Sequence, residues 1–253
     1  MLSKNQIKYI NSLQIKKYRQ QHQSFVVEGA KSVVELLASD YEVETVFATS
    51  DFQQQHQSTL AARPVALETV TLAELEKVGS FQTNDSCLAV AKTKENRFLC
   101  AGPGEYALLL DDVRDPGNLG TILRIADWYG ITKIICSEST TDLYNPKVVA
   151  ASKGSFTRIQ TYYTDLPAFF RQQKEGTAVV GAFLRGESLY DFRFPAQGGY
   201  LVMGNESQGI GGAVEAFVTH RVTIPRFGGA ESLNVGIATA VLCDNLRRQL
   251  HKG

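Results

Sequence analysis

The side chains best suited to chemistry fall in three short segments. The first is Asp115-Pro116-Gly117-Asn118-Leu119-Gly120, with Arg124 following. The second is Met203-Gly204-Asn205-Glu206-Ser207-Gln208-Gly209-Ile210. The third is Ile224-Pro225-Arg226-Phe227-Gly228-Gly229-Ala230-Glu231-Ser232-Leu233-Asn234-Val235. Each joins the end of an apolar run to a polar, glycine-containing loop. Loops at the carboxyl ends of parallel strands are where α/β sheets bind ligands, so three of them in one domain point to a single composite site. Asn118 and Asn234 both donate and accept hydrogen bonds, so they can fix Arg124 or a bound ligand. Glu206 can pair with Arg124 or cap the helix after its loop. Ser232 can bond a substrate or serve as N-cap of the last helix. A guanidinium stays protonated in proteins, which makes Arg124 an electrostatic group and a poor base.

The elements that must position these loops alternate between helix and strand. Ser3-x-x-Gln6 is a capping-box pattern, and Ile7, Ile10 and Leu13 follow at helical spacing, giving a helix from about 4 to 18. Residues 25–27 read as a strand, 30–38 as a helix and 43–48 as a strand. Thr71-x-x-Glu74 caps a short helix, and 87–91 is again a strand. Residues 1–95 thus form a small α/β unit. Gly102-Pro103-Gly104 marks a linker over 96–105. A second unit, 106–253, begins with the apolar run 106–110. A helix over 118–129 and a strand over 133–136 follow. Asn145-Pro146 fits an N-cap with proline at the first helical position. Further strands are read at 178–184, 200–203 and 221–224, and a long closing helix at 232–250. Strands alternating with helices imply a mostly parallel sheet.

Bulk properties exclude several classes. The chain has 253 residues, 43% apolar and 21% charged, values ordinary for a globular protein. No apolar run approaches the roughly 20 residues needed to span a bilayer, and no signal-peptide core follows Met1, so the expected location is cytoplasmic. Cys87, Cys100, Cys136 and Cys243 include no Cys-x-x-Cys pair, which argues against a zinc site or a disulfide framework. No Gly-x-Gly-x-x-Gly follows a strand, and no Gly-x-Ser-x-Gly elbow is present. His22, His56, His220 and His251 sit outside the three segments, so a hydrolase finds little support. The formal net charge is zero, yet residues 1–27 hold Lys4, Lys8, Lys16, Lys17 and Arg19 with no acid, and Arg247, Arg248 and Lys252 lie near the end. A basic segment can contact phosphate; a solvated helix face explains it equally well.

The three segments resemble the signature motifs of the SpoU (TrmH-like) RNA ribose methyltransferases, a branch of the SPOUT class. Asn118, Gly120 and Arg124 match its Asn-x-Gly-x-x-x-Arg. Gly204, Asn205, Glu206 and Gly209 match its Gly-Asn-Glu-x-x-Gly. Ile224, Pro225, Gly228, Ser232, Leu233, Asn234 and Val235 match the third, in the family's order and spacing. Arg226 departs from it, because Met often follows Ile-Pro. The first unit is similar to the ribosomal-protein-like substrate-binding domain of the same family through Phe25-Val26-Val27-Glu28-Gly29-Ala30-Lys31 and Leu88-Ala89-Val90-Ala91. Thr83-Asn84-Asp85-Ser86 stands where relatives often have Pro-Gln-Gly.

The resemblance implies an α/β protein. A C-terminal parallel-sheet domain with a deep trefoil knot follows a smaller N-terminal RNA-binding domain. It implies S-adenosylmethionine (AdoMet) as cofactor, held in loops by Ala182, Phe183, Leu184, Gly204, Asn205, Gly209, Ile224, Pro225 and Leu233. It implies catalysis by Asn118, Arg124, Glu206, Ser232 and Asn234, with no metal. The substrate would be ribosomal or transfer RNA, methylated at a ribose 2′-OH by a homodimer joined through the knotted domain. Arg124 would grip the adjacent phosphate and stabilise the developing alkoxide, and a phosphate oxygen or water would accept the proton. Asn145, Ser152 and Gly154 match a less diagnostic family stretch, and Tyr18, Phe25, Tyr162 and Tyr163 have faces that could stack on bases. The competing readings are a base methyltransferase of another SPOUT branch and a non-catalytic RNA-binding protein. The ribose-branch residues and the intact motif side chains count against each in turn.

Overall fold

The computed structural model describes residues 1–79 and 86–250. The departure at Thr83-Asn84-Asp85, and the terminal His251 and Lys252, lie outside the described residues. In chain order the elements are α1 (Lys4–Ser12), α2 (Lys16–His22), β1 (Ser24–Glu28), α3 (Ala30–Leu37), β2 (Val43–Ala48), α4 (Ser50–Gln55) and α5 (Gln57–Ala61). Then come β3 (Ala66–Thr69), α6 (Leu72–Val78), β4 (Cys87–Lys92), β5 (Tyr106–Leu110), α7 (Pro116–Trp128), β6 (Lys133–Ser137) and α8 (Pro146–Ser152). The last are β7 (Gln160–Thr164), α9 (Leu166–Arg171), β8 (Ala178–Ser188), β9 (Gly199–Met203), α10 (Gly212–Glu215), β10 (His220–Thr223) and α11 (Val235–Leu250). They pack as two compact units.

The first unit joins Met1–Glu95 to Asp142–Arg158. Its sheet has the order β1-β4-β2-β3, with β4 antiparallel to both β1 and β2 and β3 parallel to β2. Alternation along β1 sends Val26 to one face, where it joins Ile10, Leu13, Leu75 and Val78 from α1, its C-cap and α6. Phe25 faces the other way, against Tyr41, Tyr144 and Phe156, with ring centroids 4.6–5.9 Å away. The sequence reading assigns residues 142–158 to the second unit. They pack here instead, because the rings of Tyr144 and Phe156 complete the apolar cover over Phe25.

Two capping boxes form as the spacing dictates, Ser3 with Gln6 and Thr71 with Glu74. The single helix expected over 4–18 is two helices. The carbonyls of Leu13 and Gln14, left open by the break, accept from the buried Arg19 guanidinium at 2.9 and 2.8 Å, and Arg19 also pairs with Asp142 at 2.8 Å.

The second unit, Asn96–Thr141 with Ile159 onward, holds a six-stranded sheet in the order β10-β8-β9-β5-β6-β7. Every neighbouring pair is parallel. Parallel strands are buried on both faces and read as continuous apolar runs, which is why Tyr106–Leu110 and Gly199–Met203 are buried throughout. One face carries Leu109, Val179, Tyr200 and Val202 beneath Leu166, Phe169 and Phe170 of α9 and Val214 of α10. Helices α7 and α11 pack on each other. The chain runs from β5 outward through β6 and β7, then returns to build β8, β9 and β10 on the other side. The sense of winding therefore reverses between β5 and β9. The motif-bearing loops follow these two strands and β10. Strand β7 and helix α9 escape the sequence reading, since Gln160–Thr164 is largely polar. Among the described residues no helix is long and apolar enough to cross a membrane, and no group of three His, Cys, Asp or Glu side chains could hold a metal ion.

The buried Arg19 guanidinium yields a direct test. Asp142→Ala should lower the unfolding free energy by about 3 kcal/mol in urea denaturation, because it leaves a charge uncompensated in the interior. A loss below about 0.5 kcal/mol would mean that the two carbonyls satisfy Arg19 unaided.

Candidate active site

The loops after β5 and β9 leave adjacent strands at the reversal point, where open α/β sheets bind ligands. After β9 the chain folds back within a few residues. Asn205 and Gly209 exchange both backbone hydrogen bonds at 2.9 Å, and the Asn205 side-chain oxygen accepts from Ser207 N and Gln208 N. Gly204 is required by close approach, since a Cβ there would lie 2.1 Å from the carbonyl carbon of Gly209. Gly209 supplies the left-handed φ of +73° that the turn needs.

Two carboxylates at the end of β5 hold this hairpin down. The Asn205 side-chain amide donates to the Asp112 carbonyl at 2.9 Å and its carboxylate at 3.1 Å. Gly211 N donates to Asp111 at 2.7 Å. Burial raises the Asp111 pKa, partly opposed by that hydrogen bond. The Asp112 pKa is lowered, chiefly by the hydrogen bond from Arg114. Asp112 itself has φ of +59°. Sequence reasoning missed both residues; the only signal was an Asp-Asp pair closing an apolar strand.

A chain of side-chain hydrogen bonds then joins the three motif loops. Asp115 caps α7 by accepting from Asn118 N at 2.8 Å. Asn118 donates its side-chain amide to Glu206 at 2.8 Å, and its oxygen accepts from the Asn234 amide at 2.8 Å. Asn234 also caps α11, accepting from Gly236 N at 2.9 Å and Ile237 N at 3.3 Å. Ser232 is therefore not the cap. It lies exposed ahead of a helix that begins at Val235, three residues later than the sequence suggests. Glu206 caps no helix and does not pair with Arg124. Asn118 is the donor to its carboxylate at 2.8 Å, and α10 starts at Gly212 behind Gly211, with no side-chain cap. Arg124 is exposed on α7, and among the described residues it forms no ion pair.

Beyond Gly204, Asn205 and Gly209 in the hairpin after β9, the expected cofactor-lining residues fall into two sets. Strand β8 pairs with β10 up to Gly181 and resumes at Glu187, so Ala182–Gly186 form an excursion. Within it Phe183 turns inward against the core, beneath the guanidinium of Arg221, which lies 3.8 Å from the ring centroid and pairs with Glu215. Ala182 is half-buried and Leu184 is 75% exposed. Just past β10, Ile224 and Pro225 are half-buried, and Leu233 is half-exposed. A cavity of about 590 Å³, lined by Tyr190, Arg193 and Arg248 among others, touches none of these residues.

Other residues singled out in the sequence have structural positions. Asn145 caps α8 by accepting from Lys147 N, Ser152 is buried and donates to Val149 O, and Gly154 packs on Glu35. Phe25 is core, Tyr162 packs against the core cluster beside Phe98, and the Tyr163 hydroxyl donates to Thr141 O. Tyr18 keeps an open face on the first unit.

Residues 105–244 match the model of the SpoU rRNA Methylase family, and residues 4–89 match the MRM3-like substrate binding domain. Over 97% of both chains the protein is 31% identical to the 23S rRNA (guanosine(2553)-2′-O)-methyltransferase RlmP of Bacillus subtilis (strain 168). It superposes on a TrmH-family chain from Porphyromonas gingivalis with a TM-score of 0.87 at 38% identity, covering 98% of this chain and 99% of that one. It superposes on the AdoMet-bound rRNA methyltransferase of Sinorhizobium meliloti with a TM-score of 0.88 at 30% identity, covering 99% and 97%.

The two roles of Asn234 separate by substitution. Asn234→Ala should destabilise the fold by about 1 kcal/mol through loss of the helix cap, whereas Asn234→Asp keeps a capping oxygen and most of that stability while losing the donor to Asn118. Equal losses from both in chemical denaturation would show that the bond to Asn118, not the cap, carries the stability.

Proposed function

The chain belongs to the SpoU rRNA Methylase family, and from that premise we propose that it methylates a ribose 2′-OH of ribosomal RNA, using AdoMet. The observation that carries this reading is the convergence of the three motif loops at the reversal point of the sheet, joined through Glu206, Asn118 and Asn234. The same proposal includes a homodimer, the trefoil knot of the family and action in the cytoplasm, whose reducing conditions suit four free cysteines.

The loops suit a nucleoside cofactor with a sulfonium side chain. Ile224, Pro225 and Leu233 offer apolar walls, the Leu184 side chain stands open, and a Cβ at Gly209 would meet nothing within 4 Å. Gly204 and the backbone around it lend close approach, and Asn205 serves by holding that backbone in place. The inward turn of Phe183 makes its contribution one of shape, through the excursion it anchors. When bound, AdoMet supplies an electrophilic methyl group.

The chain's own residues then have to align the hydroxyl and manage its proton. Arg124 stays protonated, so it acts on charge: it holds the phosphate beside the target ribose and stabilises negative charge building on the 2′-oxygen. Among the described residues it has no carboxylate partner, which leaves its donors available. Glu206, engaged by Asn118, fixes which end of that amide faces Asn234 and so orients the pair towards the ribose. A phosphate oxygen or water takes the proton. Ser232, exposed beside Leu233, is free to bond the substrate.

Transfer from labelled AdoMet to unmodified ribosomal RNA, followed by nucleoside mass spectrometry, should reveal a 2′-O-methylated nucleoside; a methylated base would refute the assignment. Arg124→Ala should lower turnover by about 100- to 1,000-fold, the size expected for loss of one transition-state stabiliser, with AdoMet affinity unchanged. Arg124→Lys should remain well below wild type, because an ammonium cannot bond a phosphate with two parallel donors. Near-wild-type turnover by the lysine variant would rule out that role.

A further inference from the structure

We propose that Phe227 is a stacking contact for an unpaired base of the RNA substrate, with Arg226 beside it for a neighbouring phosphate. The inference rests on the methyltransferase reading above and adds a recognition element to it. Phe227 is 89% exposed, the most open aromatic side chain among the described residues. It stands in the loop between Ile224-Pro225 and Ser232-Leu233-Asn234, so it flanks the proposed site on the chain.

The loop is braced to hold the ring outward. Pro225 fixes one backbone angle at its start. The Arg226 guanidinium donates to Ala230 O at 3.1 Å and closes a five-residue turn with Phe227 near its tip. Gly228 and Gly229 follow, and a Cβ at either would meet nothing within 4 Å. No other ring contacts Phe227 among the described residues. Both faces are therefore open, and no neighbouring side chain crowds them.

The chemistry selects a nucleobase over the alternatives. An aromatic face beside a guanidinium pairs a stacking surface with a phosphate donor, the combination that unpaired RNA strands require. Only one of the five donors of Arg226 is committed to the loop, and it forms no ion pair among the described residues. A subunit interface needs about 800 Å² from each partner, whereas one ring offers roughly 150–250 Å², and the two residues that follow it, Gly228 and Gly229, add no side chain. The walls suited to the cofactor, Ile224, Pro225 and Leu233, are at least partly covered, while Phe227 is not. Sequence position alone gives Arg226 two outcomes, an RNA contact or a solvent-facing charge. Its bond to Ala230 makes it a brace with donors to spare.

The test titrates unmodified 23S rRNA, transcribed in vitro, into the full chain at about 0.15 M salt, read by filter binding. Phe227→Ala should weaken RNA binding roughly 5- to 150-fold, the range for loss of one aromatic stacking contact, with AdoMet affinity unchanged. Phe227→Trp should restore binding. The chain has a single tryptophan, Trp128, so the Trp128→Phe/Phe227→Trp variant reports on position 227 alone. Its fluorescence should be quenched by RNA and not by AdoMet. Unchanged RNA affinity in Phe227→Ala overturns the proposal. So does an equal loss of AdoMet affinity, which would assign the ring to the cofactor, or dissociation of a dimer in sedimentation, which would assign it to a subunit contact. If stacking is confirmed but the wild-type chain transfers no methyl group to any RNA, the activity fails and the RNA contact stands.

Discussion

Three segments that lie 88 and 116 residues apart in the chain meet through two hydrogen bonds on one side chain, Asn118. An amide is suited to that position because it donates from one end and accepts at the other. Glu206 takes the donor and Asn234 fills the acceptor, so neither a carboxylate nor an amine could replace it without leaving one neighbour unsatisfied. The arrangement also explains why Asn234 stands at the start of α11. Its oxygen must satisfy the open amides of the helix while its nitrogen reaches Asn118, and only the cap position offers both. The closing helix, the loop after β9 and the first turn of α7 are thus positioned by one shared contact. Asp111 and Asp112 hold the loop from beneath.

The first unit is completed by chain that belongs in sequence to the catalytic half. Between β6 and β7 the polypeptide contributes Asp142, Tyr144, Phe156 and the buried Val148 and Val149 of α8 to a unit that otherwise comes from the first 95 residues. The aromatic cluster extends to Tyr41, over which Lys94 lies 4.3 Å from the ring centroid while pairing with Asp40. A contiguous piece ending near residue 95 would leave the Arg19 charge and the Phe25 face uncovered. Composition marks a boundary at 96–105; the packing divides the chain after Glu95 and again on either side of 142–158, and 96–105 lies in the second unit, where Cys100 and Ala101 pack against its core.

A net charge of zero does not describe the charge that a polyanion would meet. Arg19, Lys92, Lys133 and Arg221 are each paired with a carboxylate. Arg124 and Arg226, both on motif segments, are not so paired among the described residues. These four scaffold cations are neutralised locally and Arg114 beside the site is held by Asp112, whereas Arg124 and Arg226 are left to act on a ligand.

What the sequence determined by itself was local. The continuous apolar runs of β5 and β9 announce strands buried on both faces, and the capping boxes at Ser3 and Thr71 announce helix starts, because each depends on residues within a few positions of one another. The three motif loops were legible for the same reason, as polar and glycine-rich breaks after apolar runs. Polar strands such as β7 and β3 were not legible, since they are strands only by virtue of their neighbours in the sheet. The tertiary structure alone decided the pairings: that Asn234 rather than Ser232 caps α11, that Glu206 bonds Asn118 rather than Arg124, that Phe183 turns inward, and that residues 142–158 serve the first unit. Those outcomes are competitions among several chemically adequate partners far apart in sequence, and only the distances and directions set by the packed sheet can choose between them.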